Sequence, residues 1–196
     1  MSISKTELVN KSLTLVGANP IVNLTDDSNN ARIVNRVYES SLRSILSECK
    51  WNFATKRKLL AQVVTTLEWY YEGESYIYQK PVDCIRIFGV NDDMAVWREE
   101  GSYIIADISG FGVLYVYYVD DIAKYSSSFI EALGDKLCAD ICYMILNSAS
   151  KAESFIQKYE QISLPKARGE NAQTGTQQTQ KDDAWLRSKY GESVEA

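Results

Sequence analysis

Histidine is missing from all 196 residues, and that absence removes more chemistry than any other feature of the composition. Without an imidazole there is no Ser–His or Cys–His nucleophile pair, no histidine-ligated metal and no histidine acid–base catalyst. Long hydrophobic runs are missing too. No apolar stretch approaches the ~20 residues needed to span a bilayer, so no membrane partner is expected. The opening MSISKTELVNKS has no apolar core of a secretory signal, which predicts a protein that stays in the cytoplasm of the cell that makes it. No CxxC spacing occurs among Cys49, Cys84, Cys138 and Cys142; all four lie in apolar stretches and read as reduced core residues. Cys138 and Cys142 are spaced i,i+4 on one helix face, but neither histidine nor an acidic partner joins them there, so no metal or other cofactor is expected. Positive charge is also in short supply. The net charge of −5 argues against a general nucleic-acid binder, although it is compatible with a protein that surrounds DNA without gripping it.

What is present suits one ordinary domain or two small ones: 45% hydrophobic and 24% charged residues, enough chain to bury a core. The organising stretch is residues 24–58, LTDDSNNARIVNRVYESSLRSILSECKWNFATKRK. Asp26, Asp27 and Ser28 offer N-cap side chains, and Ala31, Val34, Tyr38, Leu42, Ile45, Leu46 and Cys49 follow at helical spacing. The opposite face carries Asn30, Arg32, Asn35, Arg36, Glu39, Arg43 and Lys50, a pattern normal for solvent or an interface. Before it, Ser4 and Glu7 form a capping box, and a helix through Leu8, Val9, Leu13 and Val16 stops at Gly17.

From Trp51 the period changes to that of strands. Tyr76 and Tyr78 share one strand face, Pro81 marks an entry, and Cys84, Arg86 and Phe88 alternate with Ile85, Ile87 and Gly89. Residues 95–98 and 103–107 read as a hairpin closed by Glu99-Glu100-Gly101, and a turn at Ser109–Gly112 leads into 113–119. About five antiparallel strands in a small twisted sheet or sandwich are expected. Helical spacing returns after Asp120-Asp121, with a capping box at Ser128 and Glu131 and a mostly apolar helix through Ile145. A further helix starts near Ser150 and is kinked by Pro165. Residues 173–180, QTGTQQTQ, are too polar to order alone, and the Trp185-Leu186 pair after them reads as a docking element.

The predicted fold class is therefore α+β. An antiparallel helical bundle comes from both chain ends (1–50 and 125–172), encloses an inserted antiparallel β domain (51–124), and is followed by an extended docking tail (173–196). The pairs Glu99/Glu100 and Asp120/Asp121 sit beside turn signals and, adjacent on a strand, point to opposite faces, so they read as solvated turns and not as catalytic pairs. The 13 tyrosines cluster at 70–78 and 115–118. They suit either a packed sheet or a stacking platform for bases or sugars, and the few interleaved Lys and Arg favour packing.

The segments LVNKSLTLVGANPIVNLTDDSNNARIVNRVY, LSECKWNFATKRKLL and FIEALGDKLCADIC, with Tyr78, Pro81, Asp83, Cys84, Ile85, Arg86 and Ile87 between them, together resemble the head-to-tail adaptor family of short-tailed bacteriophages, also called tail tubular protein A. The terminal DAWLRSKYG is similar to the ending of many members. The resemblance spans nearly the whole chain, but its motifs are aromatic and small-residue patterns with no catalytic fingerprint. It implies a non-enzymatic virion protein at the portal–tail junction, assembling as a dodecameric ring on the portal protein, extending the DNA channel and carrying the tail nozzle protein. Double-stranded DNA would pass through without specific binding. On this chain it makes Trp185, Leu186 and Arg187 the portal-docking candidates, and Trp51, Phe53 and Arg57 the structural residues of the helix–sheet junction. Two other classes remain: a virion-associated peptidoglycan hydrolase using two carboxylates, and a Tyr-rich sheet that binds single-stranded nucleic acid or sugar.

Overall fold

The computed structural model describes residues 3–64, 69, 71 and 73–174. Among them it contains four helical runs and two three-stranded antiparallel sheets, an α+β architecture.

Helix α1 (Lys5–Val16) begins at the expected capping box: the Glu7 amide donates to Ser4 Oγ at 3.1 Å and the Ser4 amide donates to Glu7 Oε2 at 2.6 Å. It ends at Gly17, whose φ of +89° is the left-handed cap that a side chain would resist. Of the three cap side chains offered to α2 (Asn29–Glu48), the chain uses Ser28, which accepts the Ala31 amide. Asp26 instead accepts the amides of Val22 and Asn23 and shapes the preceding turn. The α2 stripe is buried from Ala31 to Leu46 as its spacing predicts, with Val37 and Ser41 added, whereas Cys49, expected to close it, is the half-buried residue just past the helix end.

Helix α3 (Ser127–Leu146) lies at the centre of the helical layer, packed against α1, α2 and α4 (Ala149–Lys158). Its cap corrects the sequence reading: Ser126, not Ser128, accepts the Phe129 amide. Ser128 is buried within the first turn, and Glu131 reaches out to Lys166 at 2.7 Å instead of back to the cap. Pro165 behaves differently from a simple kink. The helix from α4 passes through a π-turn (Tyr159–Ser163) into α5 (Leu164–Gln173), and the wider turn re-registers the backbone just before the residue that lacks an amide proton. Asp135 of α3, 3% exposed at its side chain, braces both ends of that turn. It accepts from Lys158 Nζ at 2.8 Å and from the Ser163 hydroxyl.

Among the described residues the strands number six, against about five expected, and they form two sheets, the sandwich of the two arrangements expected. The first sheet has the order β1 (Thr55–Leu59), β6 (Gly112–Tyr117), β3 (Cys84–Val90); the second runs β2 (Tyr76–Gln79), β5 (Tyr103–Ala106), β4 (Trp97–Glu100). Strand β6 is central and covered on both sides. Val113 and Tyr115 pack with Tyr78, Ile104, Ala106 and Phe111 between the sheets, whereas Val116 joins the helical core. The protein is thus layered as helices, first sheet, second sheet.

Two local readings of the strands change. The predicted alternation along β3 is broken by bulges between Cys84 and Arg86 and between Ile87 and Gly89. Each inserts an extra residue, so Ile85 and Phe88 meet the helical core while Cys84, Ile87 and Val90 meet the inter-sheet core. The β4–β5 hairpin is tighter than expected. Glu99 and Glu100 are strand residues paired with Ile104 and Tyr103, and the loop is only Gly101-Ser102, with Gly101 at φ +58°.

Candidate functional site at the helix–sheet junction

Where α2 gives way to β1, the chain caps at Cys49 in an extended conformation and makes one 3-10 turn, Asn52–Ala54. Trp51 points inward and is 1% exposed. Its indole N–H donates to the Ile45 carbonyl at 2.8 Å, and its ring meets Phe129 edge-on at 4.8 Å. Phe53 stands 4.8 Å from the same Phe129 and 5.2 Å from Tyr125. Trp51 and Phe53 thereby tie α2, α3 and the start of the first sheet into one aromatic cluster. Arg57 is not part of it; it lies exposed on β1 opposite Leu114. Trp185, Leu186 and Arg187 fall outside the described residues.

Between the two aromatics sits a residue that sequence reasoning passed over. The Asn52 amide donates to Asn171 Oδ1 at 2.8 Å, and Asn52 Nδ2 donates both to the Asn171 carbonyl at 2.8 Å and to Thr174 Oγ1 at 2.7 Å. In return Asn171 Nδ2 donates to the Lys50 carbonyl at 2.9 Å. Arg168, one turn earlier, pairs with Glu48 at 2.7 Å. The last turn of α5 is stapled in this way to the segment joining α2 and β1, across a sequence distance of roughly 120 residues. No sequence signal marked it: Asn52 is exposed, so nothing in the Trp-Asn-Phe triplet required a protein partner for its amide.

Beside this staple opens a cavity of about 300 Å³, at the low end of small-ligand sites. Phe53 and Tyr125 line it, Lys124 and Glu170 carry opposite charges at it, and Asn171 and Thr174 close its α5 side. Burial pushes the Tyr125 hydroxyl far above its ordinary value, and that hydroxyl donates to the Val119 carbonyl at 2.7 Å. It is therefore a neutral structural donor.

The acidic pairs are occupied. Asp120 accepts from Lys5 Nζ at 2.6 Å and from the Tyr38 hydroxyl at 3.2 Å, and Asp121 caps the 3-10 turn Ile122–Lys124. Glu99 pairs with Lys80, and Glu100 lies 2.7 Å from the Arg98 guanidinium. Two prominent tyrosines are committed as well: Tyr78 donates to the Ile108 carbonyl at 2.8 Å and Tyr115 to Asp83 at 3.1 Å, both rings buried between the sheets. Burial pushes the thiols of Cys49, Cys84 and Cys138 up to about 11, so they remain protonated and poorly nucleophilic at neutral pH. Among the described residues no three Cys, Asp or Glu side chains are grouped to hold a metal ion, and no helix is long and apolar enough to cross a membrane.

A scan against protein-family models finds no match to this chain, and a search of curated proteins finds none either.

Proposed function

We propose that the chain is a structural head-to-tail adaptor of a short-tailed phage virion. In this reading it docks as a dodecameric ring on the portal, extends the DNA channel and presents a platform for the tail nozzle. Helices from both chain ends form an antiparallel bundle around the β insertion, and residues 173–196 extend as the docking tail with Trp185, Leu186 and Arg187 as its anchor. The observation that carries the reading is the Asn52–Asn171–Thr174 staple. It pins the end of α5, so the segment bearing the anchor leaves from a defined point on the helix–sheet junction. A docking arm needs such a rigid root.

Two further features support it, and two others count against the alternatives. The helical layer leaves Leu15, Tyr143, Met144, Ile156 and Ile162 substantially exposed, apolar surface that suits burial against other subunits. Repeating a charge of −5 around a ring repels phosphates, as a conduit for DNA requires. The hydrolase alternative needs a carboxyl free to act as an acid, yet the adjacent acidic pairs are held in ion pairs or caps. The stacking-sheet alternative needs open rings on the sheets, yet Tyr78 and Tyr115 are enclosed, and the exposed rings of Trp69 and Tyr71 lie outside the strands.

Native mass spectrometry of the purified protein, alone and mixed with a portal ring, tests the proposal. Twelve copies joining in the presence of the portal are expected. A monomer that ignores the portal refutes it.

A further inference from the structure

We propose that the cavity at the helix–sheet junction is the seat of the chain's own C-terminal segment, with Trp185 packing against the Phe53–Tyr125 pair from the cavity side. This inference stands independently of the adaptor reading, because it concerns only how the chain disposes of its last residues.

The root of the segment is already at the cavity. Thr174, held by Asn52, lines it and is the last described residue. Ten residues, Gly175–Ala184, then separate Thr174 from Trp185. Extended, such a linker reaches at most ~36 Å, and it is long enough to turn back on itself with room to spare. Its composition, GTQQTQKDDA, offers no large hydrophobe that could seat elsewhere first. A tether this short also holds Trp185 at an effective concentration on the order of millimolar at its own cavity, so modest affinity suffices for occupancy.

The chemistry of segment and cavity is complementary in kind and in polarity. Half-buried Phe53, packed on the mostly covered Tyr125 ring at 5.2 Å and a tilt of 50°, presents a ring surface to which an indole adds edge-to-face. Behind them stand Phe129 and Trp51, so the site continues an existing aromatic cluster. Lys124, half exposed and only 3.4 Å from Asp121 in a local pair, supplies a cation at the mouth; Glu170, exposed on α5, supplies an anion. The segment carries Asp182 and Asp183 before the tryptophan and Arg187 after it. Acid to Lys124 and base to Glu170 gives one direction of entry and disfavours the reverse. In the adaptor reading, the same seating keeps the anchor covered until a portal competes for it.

The full-length chain labelled with 5-fluorotryptophan tests this by fluorine NMR, with Trp185→Phe identifying the Trp185 resonance. Exchange of H2O for D2O shifts an exposed indole and spares a seated one. Trp185 is expected to show the small solvent shift of a buried ring, unchanged on dilution. Lys124→Glu should restore the full shift, and adding Asp182→Lys and Asp183→Lys to that variant should remove it again. The resonances of Trp51 and Trp97 report that the fold is intact throughout. A full solvent shift for Trp185 in the unsubstituted chain overturns the proposal. So does a small shift that Lys124→Glu leaves untouched, which places the ring elsewhere, or one lost on dilution, which assigns the seat to a second copy.

Discussion

Truncating Trp51 to alanine tests the junction most directly. The side chain is almost wholly buried, its ring edge-on to Phe129 and its N–H bonded to the Ile45 carbonyl in the last turns of α2. Removing a core tryptophan costs about 3–5 kcal/mol through lost transfer energy and the cavity left behind. In a chain of this length each kcal/mol lowers Tm by about 2–4 °C, so Trp51→Ala should fall by about 6–20 °C. Trp51→Phe separates the contributions. It keeps a ring against Phe129 but strips the Ile45 carbonyl of its donor, a loss of about 1 kcal/mol, with a further part of the ring's packing. It should lie between the alanine variant and the unsubstituted protein. Arg57→Ala is the contrast: exposed on β1, it should change stability by no more than about 0.5 kcal/mol. Urea denaturation followed by far-ultraviolet circular dichroism, with the slope compared between variants, measures all three. If Trp51→Ala lies within about 1 kcal/mol of the unsubstituted chain, the junction is not a main source of stability. An equally large loss in Arg57→Ala would be just as damaging, because it would relocate the energetics to the strand.

Two other perturbations follow from the same geometry. Burial alone would raise the Asp83 carboxyl, but hydrogen bonds from Lys56 and Tyr115 outweigh it and hold the pKa below the ordinary 3.8. A carboxyl depressed on folding contributes stability that is present above its unfolded value and lost as pH falls through the folded one. Asp83→Asn should therefore flatten the acid limb of the stability–pH curve below about pH 4 and leave its neutral slope alone; an unchanged acid limb would sink this account. Asn171→Ala removes both directions of the amide exchange with residues 50–52, at a cost of about 1–2 kcal/mol. Hydrogen exchange in the last turn of α5 should accelerate while α3 stays protected, and equal protection in both would show that the staple holds nothing.

Much of the fold was legible wherever a few neighbouring residues decide the outcome. Ser4 and Glu7 cap α1 because they are three residues apart and each supplies what the other's backbone lacks. Gly17 and Gly101 stand where φ is positive. The stripe from Ala31 to Leu46 is buried because helical periodicity places it on one face. The misreadings arose where neighbours offered two answers. Ser126 and Ser128 both stand at the start of a helix, and packing buried the second within the first turn while leaving the first extended to cap. Glu131 has two partners in reach, and the one that prevailed lies 35 residues away. At Pro165 the local rule foresaw a kink in a continuing helix; the helix does continue, but through a π-turn braced by Asp135 from another helix.

The sequence by itself determined the α+β class and the placement of most helices and strands. Periodicity, capping and aromatic composition act over a handful of residues and need no partner to be read. Only the tertiary structure decided that the strands divide into two sheets with β6 shared between two cores, that bulges turn Ile85 and Phe88 toward the helices, and that Asn52 meets Asn171 and Thr174 beside a cavity. Those outcomes depend on contacts between segments far apart in sequence. Many pairings of such segments satisfy the local rules, and burying the apolar surface while satisfying each buried polar group selects among them.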